Sequence, residues 1–412
     1  MSKIDELIKE LCPDGVNMVP LWSVTAWDKR FNAVDKSMQP KVYKYPVLLA
    51  KDLFAMRQEK GDVFLLSTGI ETGWTTEKIA GDYLCEGEVV TLPWGKSSPV
   101  KGLIKYYNGK FITGDNRIAT SLDTEKLLNK YLYYWMVNQG DVIDTFYRGS
   151  GIKHPSMFHV LTMKIAVPPL EVQREIVHIL DNFTELTAEL TTELTARKKQ
   201  YEYYRDNILT FDTTIKHVRL GDICSVITKG TTPKSYTKTG VSFVKTEAFD
   251  GAKIIPNKLS YVDEETHTTF LKRSMLEEND ILITIAGATI GKCAIVSKEI
   301  LPANTNQALA IIRLAKGNSP KYVMYLLQSD LMKRYMQKNI KGSAQPNLNL
   351  KQLNDFIIPL PPLNVQERLV RVLDNFEAIC TDLNIGLPAE IEARQKQYEF
   401  YRDKLLNFKK LD

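Results

Sequence analysis

The sequence predicts an α+β protein with a pseudo-twofold internal repeat: two globular mixed α/β domains, each followed by a long helix. Three observations carry this. The stretch at 168–206 recurs at 361–403. Both copies bear an apolar seam at heptad spacing. The segments before the copies do not repeat closely, yet both mix strand-like runs with one helical run.

The first copy reads PPLEVQREIVHILDNFTELTAELTTELTARKKQYEYYRD and the second PPLNVQERLVRVLDNFEAICTDLNIGLPAEIEARQKQYEFYRD. Phe183 becomes Phe376, an offset of 193, and Tyr201 becomes Tyr398, an offset of 197. The second copy therefore carries four extra residues, a stutter that adds about one turn and keeps the seam on roughly one face. In the first copy the seam runs through Leu180, Phe183, Leu190, Leu194, Tyr201 and Tyr204. In the second it runs through Leu373, Phe376, Leu383, Tyr398 and Tyr401. A 3.5-residue period asks for a partner helix, and two matched seams in one chain favour packing on each other over packing on the neighbouring domains. Gly386 and Pro388 break the second helix, and Asn364 with Glu367 suits an N-cap with its return bond.

Composition limits the function classes. The chain has 412 residues, 44% hydrophobic and 25% charged, which suits a protein of several domains with real cores. Cys12, Cys85, Cys224, Cys293 and Cys380 are scattered and form no CxxC pair, as expected in a reducing cytoplasm. No apolar run reaches membrane-span length and the start MSKIDELIKELCPDG is not a signal peptide, so a cytoplasmic location with no membrane contact is expected. A formal charge of +5 permits a nucleic-acid partner without demanding one.

In chain order, Ile4, Leu7, Ile8 and Leu11 form one face of a short helix stopped at Pro13 and Gly15. The first domain, 1–167, holds strand candidates at 61–68, 87–93 and 102–111, then a helix over 123–138. A spacer helix fills 168–211. The second domain, 212–360, has strand candidates at 241–246, 280–286, 292–296 and 309–314, then a helix over 320–337. The second spacer fills 361–412. Two echoes link the domains: Val19-Pro20-Leu21 with Val218-Arg219-Leu220, and Gly149-Ser150 with Gly342-Ser343.

Catalytic chemistry is not assembled anywhere. AGATIGKC at 286–293 resembles a phosphate loop one residue short, with Cys293 where Ser or Thr would hold magnesium, so it reads as a glycine-rich turn. Neither the Asn-Pro-Pro-aromatic nor the Asp-Pro-Pro-aromatic tetrapeptide of adenine methyltransferases occurs. His154 and His159 are five apart and the other histidines are solitary, so no metal ligand set is expected. We expect no catalytic residue, no metal and no cofactor on this chain.

Binding remains. In the first domain the loop residues suited to DNA are Lys29, Arg30, Trp94, Lys96, Ser97, Ser98, Arg117, Arg148, Lys153 and His154. In the second they are Lys229, Thr231, Thr232, Lys234, Tyr236, Lys245, Lys292, Asn304, Asn306, Gln307, Lys341 and Gln345. Cations suit phosphate oxygens, while amides, arginine and aromatics suit base edges and faces. Such residues also make ordinary solvated loops; it is their doubling across two domains that favours DNA.

The repeated helices, the TEL–TAEL–TTEL run at 184–194, the LCPDGV–VPL opening and the LEENDILIT, GATIGK and NTNQALAII series resemble the specificity subunit of a type I restriction–modification system. The resemblance covers nearly the whole chain. It implies two target-recognition domains held apart by two long antiparallel coiled-coil helices, each domain reading half of a split double-stranded DNA site. It further implies two docked methyltransferase subunits, which bring S-adenosylmethionine and methylate adenine N6, and restriction subunits using ATP and Mg. An antiparallel pair would set Leu180 and Phe183 near Tyr398 and Tyr401. The rival readings are a self-contained DNA-modifying enzyme with diverged motifs and a coiled-coil adaptor that binds only proteins.

Overall fold

The computed structural model describes residues 2–69, 72–96, 98–114, 116–212, 214–340, 347–381 and 386–411. They form two compact units: Met1–Ala188 with Ala393–Asp412, and Glu189–Glu392. Neither unit is a continuous stretch of recognition domain alone, because each includes part of both spacer helices.

In the first unit, α1 (Lys3–Leu11) opens with Ser2 and Asp5 in a capping box. Strand β1 (Met18–Pro20) pairs with a late strand described below. Then come β2 (Thr25–Trp27), α2 (Ala50–Ala55), β3 (Val63–Leu66), β4 (Trp74–Thr75) and α3 (Glu77–Ala80). The long strands β5 (Cys85–Pro93) and β6 (Lys105–Thr113) precede β7 (Asn116–Ser121). These make a six-stranded sheet in the order β2-β7-β5-β6-β3-β4, antiparallel except where β3 runs parallel to β6. Helices α4 (Asn129–Asn138) and α5 (Gly140–Thr145) follow, then the hairpin β8 (Tyr147–Arg148) and β9 (His154–Pro155), and α6 (Met157–Thr162). Strand β10 (Lys164–Ala166) returns to β1, with Met18 opposite Ala166.

Helix α4 starts six residues later than the pattern at 123 predicts. Asp123 instead closes a turn with Lys126 and Leu127, and Gln173 takes the Leu128 N–H at 2.9 Å. Gln173 belongs to the spacer helix α7 (Leu170–Ile208), a single run of 39 residues.

The second unit repeats the plan. It contains β11 (His217–Arg219), β12 (Cys224–Lys229), β13 (Val241–Val244), a small hairpin β14 (Phe249–Asp250) and β15 (Lys253–Ile254), and β16 (Ser260–Val262). After α8 (Glu264–Thr268) come β17 (Ile281–Thr284), β18 (Cys293–Ile295), β19 (Ala303–Thr305) and β20 (Leu309–Leu314). Strands run β12-β20-β17-β18 in one sheet and β16-β13-β19 in another. Joining β18 to β19 reproduces the order of the first unit strand for strand, including the one parallel pair, β13 with β19. What is one long strand, β6, in the first domain is thus interrupted in the second by residues 296–302.

The 320–337 pattern forms two helices, α9 (Pro320–Gln328) and α10 (Asp330–Asn339). Ser329 is extended at ψ 169°, and Asp206 accepts the Asp330 N–H at 3.1 Å, so the helix cannot run through. Helix α11 (Leu350–Asn354) and β21 (Ile357–Pro359), paired with β11, complete the domain. The second spacer is α12 (Leu363–Thr381) and α13 (Leu387–Leu405), with Gly386 at φ +89° before α13. Asn364 lies inside the first turn of α12 rather than at its cap, because Pro362 O already accepts Val365 and Gln366 N–H. Leu383, an expected seam residue, lies outside the described residues.

The early half of one spacer packs with the late half of the other inside each unit, the sense an antiparallel coiled coil requires. In the first unit Val172, Ile176 and Leu180 share a core with Leu405 and Leu406, with Tyr398 packed against it. Phe183 stacks on Tyr401 at 5.4 Å and 24°. In the second unit Phe376 stacks on Tyr204 at 5.9 Å and 23°. Leu190 and Leu373 are buried, Tyr201 and Leu194 half-buried. Among the described residues no helix is long and apolar enough to cross a membrane.

Candidate nucleic-acid interface

The end of β5 and the start of β7 lie side by side, with Leu92 opposite Arg117 and Pro93 opposite Asn116. This register brings Trp94, the first residue beyond β5, under the Arg117 guanidinium, 5.5 Å from its ring; Phe31 lies 5.8 Å from the same guanidinium. The β8–β9 hairpin leans on the same corner. His154 lies against Trp94, ring centroids 4.6 Å apart and tilted by 35°, its Nδ1 is 2.8 Å from Trp94 O, and Lys96 N–H donates to Lys153 O. Tyr147 Oη donates to Pro93 O at 2.5 Å, tying the hairpin base to the sheet.

Lys29 and Arg30 are exposed beyond β2. Burial and then the Arg117 charge hold the Lys29 ammonium below its ordinary pKa. Asp28, buried beneath them, is raised by burial against the opposing pull of Arg117 and the Ile118 N–H. One corner of the sheet therefore collects Lys29, Arg30, Arg117, Trp94, Lys153, His154 and, across the hairpin, Arg148. Ser98 is exposed nearby, and Ser97 lies outside the described residues.

Lys96 does not belong to this surface. Its side chain is 9% exposed, its Nζ pairs with Asp144, and it lies 5.1 Å over the Tyr147 ring. Burial pushes Asp144 up, but Lys96 and the Val100 N–H outweigh it and hold the carboxyl below its ordinary value. Lys96 thus fixes the loop instead of reaching solvent.

In the second domain the corresponding end of the sheet gathers other chemistry. Lys245 lies 3.9 Å over the Tyr236 ring, which meets Phe243 edge-on at 5.4 Å. Gly230 and Thr231 dock on the sheet through Leu309 O and Thr305 O. A Cβ at Gly230 would fall 2.1 Å from Asn306 O, so only glycine permits that approach. A groove of about 490 Å³ opens beside it, lined by Lys229, Gln307 and Asn347 with Ile285, Ala286 and Leu348. Lys229, Thr232, Lys234, Lys292 and Gln307 are exposed; Thr231, Lys245 and Asn306 are half-buried.

The 286–293 segment is a tight turn between β17 and β18, with Gly287 at φ +89° and Gly291 at φ +88°. Asn304, expected on the binding surface, is instead fully buried: its amide donates to Leu271 O, and its Oδ1 is 2.5 Å from His267 Nδ1. It ties β19 to α8 and is not on the surface. Lys341, Gln345 and the Gly342-Ser343 echo lie outside the described residues. Among the described residues no three of His, Cys, Asp and Glu converge as metal ligands.

Sequence reasoning missed how each domain is bolted to its helix. Tyr134 Oη donates to Asp181 at 2.6 Å, and Tyr325 Oη donates to Asp374 at 2.6 Å. Tyr131 Oη reaches Ala166 O and Tyr322 Oη reaches Pro359 O. Lys130 pairs with Asp181 and Lys321 with Asp374. The signal was present: Lys-Tyr-x-x-Tyr stands at 130–134 and again at 321–325.

Such a molecule is a duplicated binding scaffold: one sheet plan, twice, with a different cationic and aromatic corner each time. A family model of the type I restriction modification DNA specificity domain matches it at 42–197 and again at 213–393. The type I restriction enzyme EcoR124I/EcoR124II specificity subunit of Escherichia coli is 31% identical, covering 100% of this chain and 98% of that one. A chain solved in work on complex assembly and conformational transition of the type I R-M system superposes with TM-score 0.59 at 17% identity, covering 96% and 98%. The type I restriction–modification S subunit from M. genitalium gives 0.51 at 16% identity, covering 95% and 96%. At those identities the superpositions speak for the fold. The chain belongs to the type I restriction modification DNA specificity family, and its part is sequence recognition, not catalysis.

Proposed function

We propose that each recognition domain reads one half of an asymmetric, interrupted double-stranded DNA site, and that the paired spacers set the gap. The observation that carries this is the repeated strand order bearing unlike corners: Trp94, Arg117 and His154 in one domain, Tyr236, Lys245 and Gln307 in the other. The domains span 1–167 and 212–360, the spacers 168–211 and 361–412. In the first domain the DNA contacts are Lys29, Arg30, Trp94, Ser98, Arg117, Arg148, Lys153 and His154. In the second they are Lys229, Thr231, Thr232, Lys234, Tyr236, Lys245, Lys292, Asn306 and Gln307. Two methyltransferase subunits dock on the frame, bring S-adenosylmethionine and methylate adenine N6; restriction subunits add ATP- and Mg-dependent chemistry. The assembly works in the cytoplasm.

The test is co-expression with the partner methyltransferase followed by genome-wide mapping of modified adenines. Deleting Thr191–Leu194 removes roughly 6 Å of helix at about 1.5 Å per residue, against about 3.4 Å per base pair of duplex. The preferred gap should shorten by one or two base pairs with both half-sites unchanged. An altered half-site, or an unchanged gap, defeats the ruler.

A further inference from the structure

The corner of the first domain contains one residue that suits neither phosphate nor a polar base edge. Ile152 lies in the turn of the β8–β9 hairpin, between Arg148 and Lys153 in the chain and with its Cγ2 over Gly95, and is 69% exposed. The tip is held on both flanks. Lys96 N–H donates to Lys153 O at 3.2 Å, and His154 packs its ring at a tilt against Trp94 and contacts its carbonyl. Gly149, at φ +137°, takes a backbone conformation that side-chain-bearing residues rarely adopt. A Cβ on Gly95 would fall 2.5 Å from Ile152 Cγ2, so glycine at 95 is what lets the isoleucine keep its place.

Exposing a branched apolar side chain at a braced tip costs burial that the fold does not recover. In the same hairpin Arg148 and Lys153, both exposed, stand on either side of it in the chain, as cations that would engage phosphates. Building on the DNA-reading role above, we propose that Ile152 is an apolar specificity residue, pressed against the hydrophobic surface of the base stack. That surface is either a thymine 5-methyl group or a base step opened by the side chain. The residue selects sequence by contact and adds nothing to backbone charge neutralisation.

The experiment uses the full chain assembled with its methyltransferase subunits and a duplex carrying the mapped site. Ile152→Ala should weaken cognate binding by roughly tenfold and leave binding to unrelated duplex unchanged, on the scale of one lost base contact. Ile152→Val should restore most of the loss, and Gly95→Ala, which displaces the side chain, should reproduce it. Two arms separate the sources. A single thymine whose replacement by deoxyuridine costs as much, and costs nothing further in Ile152→Ala, identifies the methyl contact. A 2-aminopurine fluorescence rise on binding that vanishes in Ile152→Ala identifies an opened step. Cognate affinity of Ile152→Ala within twofold of wild type overturns the proposal. A loss with neither signature also overturns it, since hairpin disruption is then the cause. The Arg148→Ala/Lys153→Ala variant keeps the two readings apart. If it binds poorly while Ile152→Ala is silent, only the apolar reader fails; if both are silent, the binding face itself is wrong.

Discussion

The two recognition domains share a strand order but differ in what surrounds it, whereas their attachments to the spacers use the same residues at equivalent positions. In one domain β6 is continuous; in the other its counterpart is split into β18 and β19. One corner is built on Trp94 with Arg117, the other on Tyr236 with Lys245. Yet Tyr134–Asp181 and Tyr325–Asp374 are both 2.6 Å, and Arg205 and Arg402 both lie buried over a tyrosine, Tyr201 and Tyr398. Repetition in this chain therefore marks where a domain is fastened, and divergence falls at the corners proposed to read DNA.

That contrast can be broken at an asymmetric site first. Asp280, fully buried, accepts two 2.8 Å bonds from Arg313, whose partly exposed guanidinium is also held by Glu277 and Met275 O. Asp280→Ala should cost about 3 kcal/mol, the upper end for lost hydrogen bonds to a charged group. Urea unfolding followed by circular dichroism should show the penalty in the second domain's transition alone.

The symmetric fastenings come next. Gln173 bridges Leu128 N, Lys126 O and Pro168 O, and Gln366 bridges Ser319 N and Pro361 O. Replacing either glutamine by alanine leaves buried backbone groups unpaired and should cost about 2–3 kcal/mol. The two penalties should agree within about 1 kcal/mol; a silent variant in one unit would show that the repeat is one of sequence only. Tyr134→Phe and Tyr325→Phe should each cost about 1–2 kcal/mol, as expected for a lost bond to a carboxylate.

The smallest effect is one of pH and concerns Lys105. Burial lowers its ammonium from 10.5 to about 8, while it donates to Ser67 O at 2.6 Å and to Gly69 O. Between about pH 8 and 10.5 the unfolded chain holds this proton and the folded chain does not. Stability should therefore rise with pH across that window and stay level below it. Titrating the unfolding midpoint of wild type against Lys105→Met should show the rise in the former only.

Much of the scaffold was legible because it repeats locally. The antiparallel seam puts Phe183 near Tyr401, where the rings do stack, its residues Phe376 and Tyr204 meet likewise though that pair was not foreseen, and the apolar run at 309–314 matches β20 residue for residue. Errors fell where distant groups intervene. Helix α4 begins late because Gln173 captures Leu128, and the 320–337 helix breaks where Asp206 captures Asp330. No local pattern encodes the parallel pairing of β3 with β6 or of β13 with β19, since their order is set by non-local contacts. Asn304 and Lys96 have the composition of reading residues, but burial committed one to His267 and the other to Asp144.

The first unit is sewn shut by the end of the sequence: Val16 N–H donates to Lys409 O, Leu411 N–H returns to Val16 O, and Leu405 and Leu406 fill its core. The N-terminal unit thus lacks part of its core and one backbone pairing until residues that follow the second unit in the chain are in place.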